Sequence, residues 1–270
     1  MRFALILLTT LTSLATAEPQ HPALPFKLED LKLVDQVDFS SGQPGHELTQ
    51  LPADAASYQE ILGRNAMVLK NKPGASMRYA AFRLGKEKGL VAGKPYVLVV
   101  DYPEDLPRTI IVRNHGAEAT RGFHTGPTLG DGLVIPYVYS NPESIHYPLS
   151  RKWKQWVSVF HLHDRFSPIA QFAGKNRPFT PKDGFHVMIA HLSHQNSPLS
   201  EGPAVGRIAL YEAPDHKEIA LPLSLPPKDL PQRYLFYREE MADAVISDRS
   251  GSQPGVTQQK DWFEYHARLM

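Results

Sequence analysis

The sequence predicts an all-β protein, a two-sheet antiparallel β-sandwich followed by a short mixed C-terminal extension. Short apolar or alternating runs recur from residue 66 to residue 211, and glycine, proline or asparagine clusters separate them. This spacing is typical of sandwiches. No long amphipathic helix lies between the runs, whereas parallel strands would need helical crossovers. The predicted strands are 66–70, 77–84, 96–102, 109–113, 156–163, 185–192 and 205–211.

Residues 1–17 have the features of a secretory signal peptide. Arg2 supplies the positive charge, 3–14 is largely apolar, and small residues precede Glu18. The apolar run is shorter than the about 20 residues that cross a membrane. We therefore expect cleavage after residue 17, export to the periplasm or the extracellular space, and no membrane association afterwards. A proline-bearing leader, 18–29, follows.

The charge balance and the lack of cysteine narrow the function classes. Basic residues number 29 and acidic residues 28, and the loss of Arg2 with the signal peptide leaves a formal net charge of zero. A neutral chain argues against a nucleic-acid or anionic-membrane partner and favours neutral ligands such as glycans. Zero cysteines exclude disulfides and thiolate chemistry. A hydrophobic core must therefore stabilise the fold.

Alternation along two of the predicted strands indicates which side chains face the core. In 156–163, the even-numbered residues Trp156, Phe160 and Leu162 are predicted to point inward, with Ser158 as the exception to this apolar set. The odd-numbered residues are predicted to share the opposite face. In 185–191 both faces are partly apolar, as expected for a central strand.

The amino-acid composition changes after residue 213, where proline becomes frequent. Five prolines punctuate 214–232, which reads as a linker. Beyond it, 233–237 predicts one more strand, and apolar residues recur at roughly helical spacing in 261–270. We therefore predict a sandwich domain at 30–213, and at 233–270 either the start of a second domain or a tail that packs against the sandwich.

Four segments, 93–103, 121–126, 161–166 and 206–212, read GKPYVLVVDYP, RGFHTG, HLHDRF and GRIALYE. They resemble the N-terminal module of secreted bacterial proteins similar to glycoside hydrolases, in which a galactose-binding-like jelly-roll precedes a (β/α)8 barrel. The resemblance implies that 206–212 is the closing strand and that 233–270 opens the barrel. It also implies that this chain is not catalytic by itself and that the catalytic acids of the parent protein lie beyond residue 270.

A glycan site needs aromatic platforms beside hydrogen-bonding groups, because a pyranose ring has apolar C–H faces and a polar rim. The stretch 122–132 is rich in glycine and is predicted to shape a binding loop rather than a core strand. Packing in the core is the alternative role for each aromatic residue. The aromatic candidates are Trp153, Tyr137 and Tyr139, and the polar candidates are Arg113, Asn114, His115, Arg121 and His124.

A histidine cluster offers an alternative function, that of an independent, cupin-like metal-dependent enzyme. The candidate ligands are His161, His163, His186 and His191, with His194 nearby. A His-x-His pair on one strand face, completed from a neighbouring strand, suits a transition metal. The glutamate of a cupin motif is missing after His163, and ordinary hydrogen bonding is the alternative role for these residues.

Carboxylates near turns are candidates for a structural calcium site. They are Asp101, Glu104, Asp105 and Asp131, and a solvated turn is the alternative. Nucleophile-elbow, Walker and dinucleotide motifs are missing. The sequence therefore favours a non-catalytic carbohydrate-binding or domain-docking module of an exported carbohydrate-active protein. A metal-dependent enzyme and a purely structural interaction domain remain the alternatives.

Overall fold

A computed structural model describes residues 26–42, 44–126, 149–169, 178–191 and 199–215. The described residues form strands with two one-turn 3₁₀ helices, and no helix among them is long or apolar enough to cross a membrane. The strands are β1 (Leu33–Asp38), β2 (Leu48–Leu51), β3 (Ser57–Ile61), β4 (Arg64–Val68), β5 (Arg78–Leu84), β6 (Pro95–Pro103), β7 (Arg108–Asn114), β8 (Ala119–Thr125), β9 (Trp153–His161), β10 (Phe185–His191), β11 (Ala204–Val205) and β12 (Arg207–Glu212).

The strands form three antiparallel sheets. Sheet A has the order β1-β12-β6-β9, sheet B has β2-β5-β10-β7-β8, and sheet C has β11-β4-β3. The predicted all-β, antiparallel class is therefore confirmed. The linker and the C-terminal extension, from residue 216 onward, lie outside the described residues.

The main core lies between sheets A and B. β6 contributes Tyr96, Leu98 and Val100 from one side, while β10 contributes Phe185, Val187 and Ile189 from the other. The predicted inward set on β9 is confirmed, because Trp156 and Phe160, with Leu162 just after the strand, belong to this core. β10 is buried along its whole length, as predicted for a central strand.

The last predicted strand, 205–211, is interrupted at Gly206. β11 pairs with β4 in sheet C, whereas β12 pairs with both β1 and β6 in sheet A. β12 therefore inserts between the first strand and a central one. It is the segment for which the resemblance implies a closing strand, and it pairs with strands on both sides.

Four strands were not predicted: β1, β2, β3 and β8. Their burial patterns explain why, since each of these four strands contains a single buried residue. The expectation that 122–132 forms a binding loop is wrong for its first part, because Gly122 to Thr125 belong to β8, at the edge of sheet B.

Candidate functional site

One side of the sandwich, where β8 and β9 are the last strands of sheets B and A in the described part of the chain, carries a stack of aromatic rings. The Phe123 and Trp156 rings are nearly parallel, with centroids 6.1 Å apart and planes at 14°. The centroid of Tyr102 lies 4.6 Å from that of Phe123. All three rings pack against the core but remain half-buried. Solvent therefore reaches part of an ordered aromatic surface.

Polar side chains from the same two edge strands project toward this stack. Arg121 pairs with the core residue Val112, and Ser158 pairs with the core residue Leu98, so both point inward. Lys154 faces the same way, because it lies two residues before Trp156 on β9. All three are half-buried. We call the set Tyr102, Arg121, Phe123, Lys154, Trp156 and Ser158 the lateral cleft.

The lateral cleft offers hydrogen-bond donors rather than acid–base groups. Burial, reinforced by the negative charge of Glu104, raises the pKa of Tyr102 to about 12. The phenol therefore stays protonated at neutral pH and keeps its O–H to donate. Arg121 donates from Nη1 to the Thr120 carbonyl at 3.1 Å. A guanidinium carries five N–H donors and no acceptor.

Trp153, the principal aromatic candidate, lies elsewhere and packs against other parts of the protein. The Arg64 guanidinium sits 4.4 Å from the ring centroid. The ring also packs so closely on Gly206 that a Cβ there would be 2.6 Å from Cζ3. Trp153 joins the small apolar cluster of Ile61, Ala66, Val68 and Ala204. The structure therefore offers no open platform at Trp153.

The polar candidates on β7 and β8 divide between two faces. Arg113 has a side chain 46% exposed and lies on the outer face of sheet B, opposite Met188, whereas Arg121 points inward. His124 is on the outer face with Arg113; its Nδ1 is 3.0 Å from Thr109 Oγ1. Burial lowers the pKa of His124. Arg113 and Arg121 therefore belong to different surfaces.

The turn after β7 holds the remaining polar candidates. Asn114 Oδ1 accepts a hydrogen bond from the Gly116 N–H at 2.9 Å, which closes the turn. His115 is buried, with Nδ1 3.6 Å from Glu118 Oε1. Burial alone would raise the pKa of Glu118, but His115, the Ser167 N–H and Arg113 outweigh it and lower that pKa. Tyr137 and Tyr139 lie outside the described residues.

The proposed adjacency of the two histidine-bearing strands is wrong. β9, which ends at His161, is in sheet A, whereas β10, which contains His186 and His191, is in sheet B. The His186 ring packs 5.3 Å from Phe179 and 6.4 Å from His115. Burial, with the charges of Arg83 and His115, lowers the pKa of His186 to about 3. His163 follows β9; within the described ranges no three His, Asp or Glu side chains could hold a metal ion, and His194 lies outside them.

The carboxylates considered for calcium have partners within the protein. Asp101 accepts hydrogen bonds from Arg207 Nε and Gln155 Nε2, each at 3.0 Å. Asp105 and Arg108 form a bidentate pair with both distances at 2.8 Å. Glu104 Oε2 accepts from the Ser150 N–H at 3.1 Å. Arginines therefore already neutralise two of these carboxylates, and Asp131 lies outside the described residues.

No family model and no curated protein matches this chain, but solved structures do. The apo CBM1 of BiXyn10A matches at 12% identity with a TM-score of 0.37, over 67% of this chain and 99% of that one. The CBM22 tandem domain of Paenibacillus barcinonensis Xyn10C matches at 9% and 0.37, over 67% and 50%. The C-terminal CBM6 of LamC from Zobellia galactanivorans matches at 8% and 0.28, over 62% and 100%. These three neighbours are carbohydrate-binding modules, and matches at these scores assign no ligand to this chain.

Of the residues that form the lateral cleft, the sequence analysis named only Arg121 as a candidate for the site. Alternation correctly placed Trp156 in the core, but alternation cannot show that β9 is an edge strand on which Trp156 and Ser158 stay half-buried while Phe160 is buried. A signal was available in Lys154, since a charged residue on the inward face is one of the features of edge strands.

Proposed function

We propose that the protein is a non-catalytic carbohydrate-binding module of an exported, carbohydrate-active protein, and that the lateral cleft holds the glycan. The observation that carries this proposal is the half-exposed Phe123–Trp156 stack with Arg121, Lys154 and Ser158 beside it. A pyranose ring can lay its C–H face on such a stack while its hydroxyls accept hydrogen bonds from the cations.

The charges around the cleft support binding rather than hydrolysis. Glycoside cleavage requires two carboxyl groups about 5 to 9.5 Å apart across the substrate. Glu104, whose negative charge acts on Tyr102, accepts a hydrogen bond from the Ser150 N–H. The carboxylates Asp101 and Asp105 are paired with arginines. The export part of the proposal rests on the signal-peptide features of residues 1–17. Attachment to a catalytic barrel of the same natural chain rests on the sequence resemblance.

Two arginines allow a sharp test of the site. Arg113 and Arg121 lie on the paired strands β7 and β8 but point to opposite faces. Affinity electrophoresis and calorimetry with xylan, mannan, galactan and mixed-linkage glucan would be compared for the wild type, Arg121→Ala and Arg113→Ala. We expect Arg121→Ala to weaken binding about 10-fold, since a lost charged hydrogen bond costs about 1.5–3 kcal/mol. Arg113→Ala should stay within about 2-fold of the wild type.

The opposite result would assign the glycan site to a different surface. If Arg113→Ala weakened binding and Arg121→Ala did not, the glycan would lie on the outer face of sheet B. If the wild type bound none of these polysaccharides, the carbohydrate-binding proposal would be overturned. Ser158→Ala provides a second cleft variant that removes one hydroxyl without changing the aromatic stack.

A further inference from the structure

The outer face of sheet A is apolar where a sandwich usually faces water. An antiparallel sheet commonly packs one face on the core and exposes the other, which is then polar. Here Val97 and Val99 of β6 and Ala209 of β12 point away from the core, yet each is 0% exposed. Val157 and Val159 of β9 extend this surface and are half-buried. The outer face is therefore a second packing surface.

Part of this surface is covered by the chain just before β1. Phe26, Leu28 and Leu31 pack against the three buried residues. Their segment leads into β1, which lies at one edge of sheet A, whereas β9 lies at the other. The valines of β9 are thus on the far side of the sheet from the point where this cover joins it.

The chain leaves the sandwich over the same surface. Tyr211 and Ala213 both pack in the outer-face cluster. The Ala213 N–H donates to the Pro95 carbonyl at 3.3 Å, so the exit point is fixed at the start of β6. Residues 216–270 continue from there. Their apolar residues include Trp262 and Leu269, which are seven positions apart and fall on one side of a helix.

We propose that the C-terminal segment, residues 216–270, docks on the outer face of sheet A and completes its cover at Val157 and Val159. The segment emerges at this face and has the chain length to cross it. In a helix, Trp262 and Leu269 would lie on one apolar stripe, and such a stripe can pack against a surface of valine side chains. This proposal is independent of the glycan site, which lies on the other side of β9.

A single introduced thiol can report this cover, because the full chain contains no cysteine. Val159→Cys places the thiol on the outer face, and Val91→Cys places one at a valine that is 45% exposed. Maleimide labelling in the full chain should be at least about 10-fold slower for Val159→Cys than for Val91→Cys, since a covered thiol reacts only when the cover opens.

The second step asks which segment provides the cover. Adding Trp262→Asp and Leu269→Asp should speed labelling of the Val159→Cys thiol about 10-fold, because two charges cannot stay against valines. Gln258→Asp with Gln259→Asp adds the same charge to the same segment and should leave the rate unchanged. Thermal melting would show that the sandwich stays folded in all variants.

Two results would overturn the docking proposal. In one, the Val159→Cys thiol labels as fast as the Val91→Cys thiol. In the other, its protection persists when Trp262 and Leu269 are replaced, which would assign the cover to the segment around Phe26. Neither result bears on glycan binding, and loss of glycan binding would not alter the labelling rates, so the two proposals fail independently.

Discussion

Gly206 is the residue at which the chain passes from sheet C to sheet A. Its N–H donates to the Asp101 carbonyl at 2.8 Å and its carbonyl accepts from Phe39, so the backbone is held on both sides. The Trp153 ring occupies the space where a side chain would be. Glycine is needed here for close approach of a ring.

Gly206→Ala should therefore destabilise the protein. The added Cβ would meet Cζ3 of Trp153 at 2.6 Å, and overpacking of this kind costs about 1–3 kcal/mol. Gly45→Ala is the control, because no atom lies within 4 Å of the position of its Cβ. Urea denaturation should separate the two variants. Equal midpoints would contradict the close packing of Trp153 on Gly206.

At the scale of elements, a buried ion pair fixes the connection between β6 and β7. Arg108 is almost fully buried; besides its bidentate pair with Asp105, it donates from Nη1 to the Gly202 carbonyl at 2.8 Å. The turn that precedes β7 is thus tied to the segment that leads into β11. Burial alone would raise the pKa of Asp105, but the hydrogen bonds and charge of Arg108 outweigh it and lower the pKa.

Asp105→Asn should cost about 3 kcal/mol of unfolding free energy, because it leaves the Arg108 charge buried without a counter-charge. Asp164→Asn is the matched control. Its carboxylate is 4.0 Å from Arg165, with both side chains about half exposed, and such pairs contribute about 0–1 kcal/mol. Chemical denaturation of both variants would measure the difference. A loss below about 1 kcal/mol for Asp105→Asn would show that the pair does not hold the connection.

The strands differ in whether the sequence alone could predict them. Central strands such as β6 and β10 were predicted because burial on both faces leaves long apolar runs. β3, with Ser57 and Gln59 exposed, buries only Ile61 and has no such pattern. Strand order could not be predicted either, since pairing depends on contacts distant in sequence. For that reason His161 and His186 were placed on neighbouring strands, and the edge position of Trp156 was missed.

Across the whole molecule, several titratable groups have lowered pKa values, and these make the protein less stable as the pH falls. The pKa of His186 is lowered to about 3, from about 6.5 in an unfolded chain, so only the unfolded state gains this proton between those values. The stabilisation is complete above about pH 6.5 and is lost as pH falls toward 3. Asp105 and Glu118, whose pKa values are also lowered, add the same trend at more acidic pH.

Acidification from pH 7 to pH 5 should therefore lower the unfolding free energy by about 2 kcal/mol. This figure assumes a loss of about 1.36 kcal/mol for each pH unit below about 6.5. His186→Phe should remove most of this dependence, because phenylalanine has a similar ring but does not titrate. Denaturant melts at both pH values, for the wild type and the variant, provide the measurement. A wild type with equal stability at pH 5 and pH 7 would refute the neutral, buried state of His186.

The inward-facing Arg121 and Lys154 also affect the association of one copy of the protein with another. Among the strands of the described residues, β8 and β9 are the last of sheets B and A. The backbone groups at the edge of a sheet can template strand addition from another copy. Any incoming strand would have to lie beside Arg121 and Lys154 and strip water from both charges. These two charges would therefore oppose aggregation along this side at high concentration.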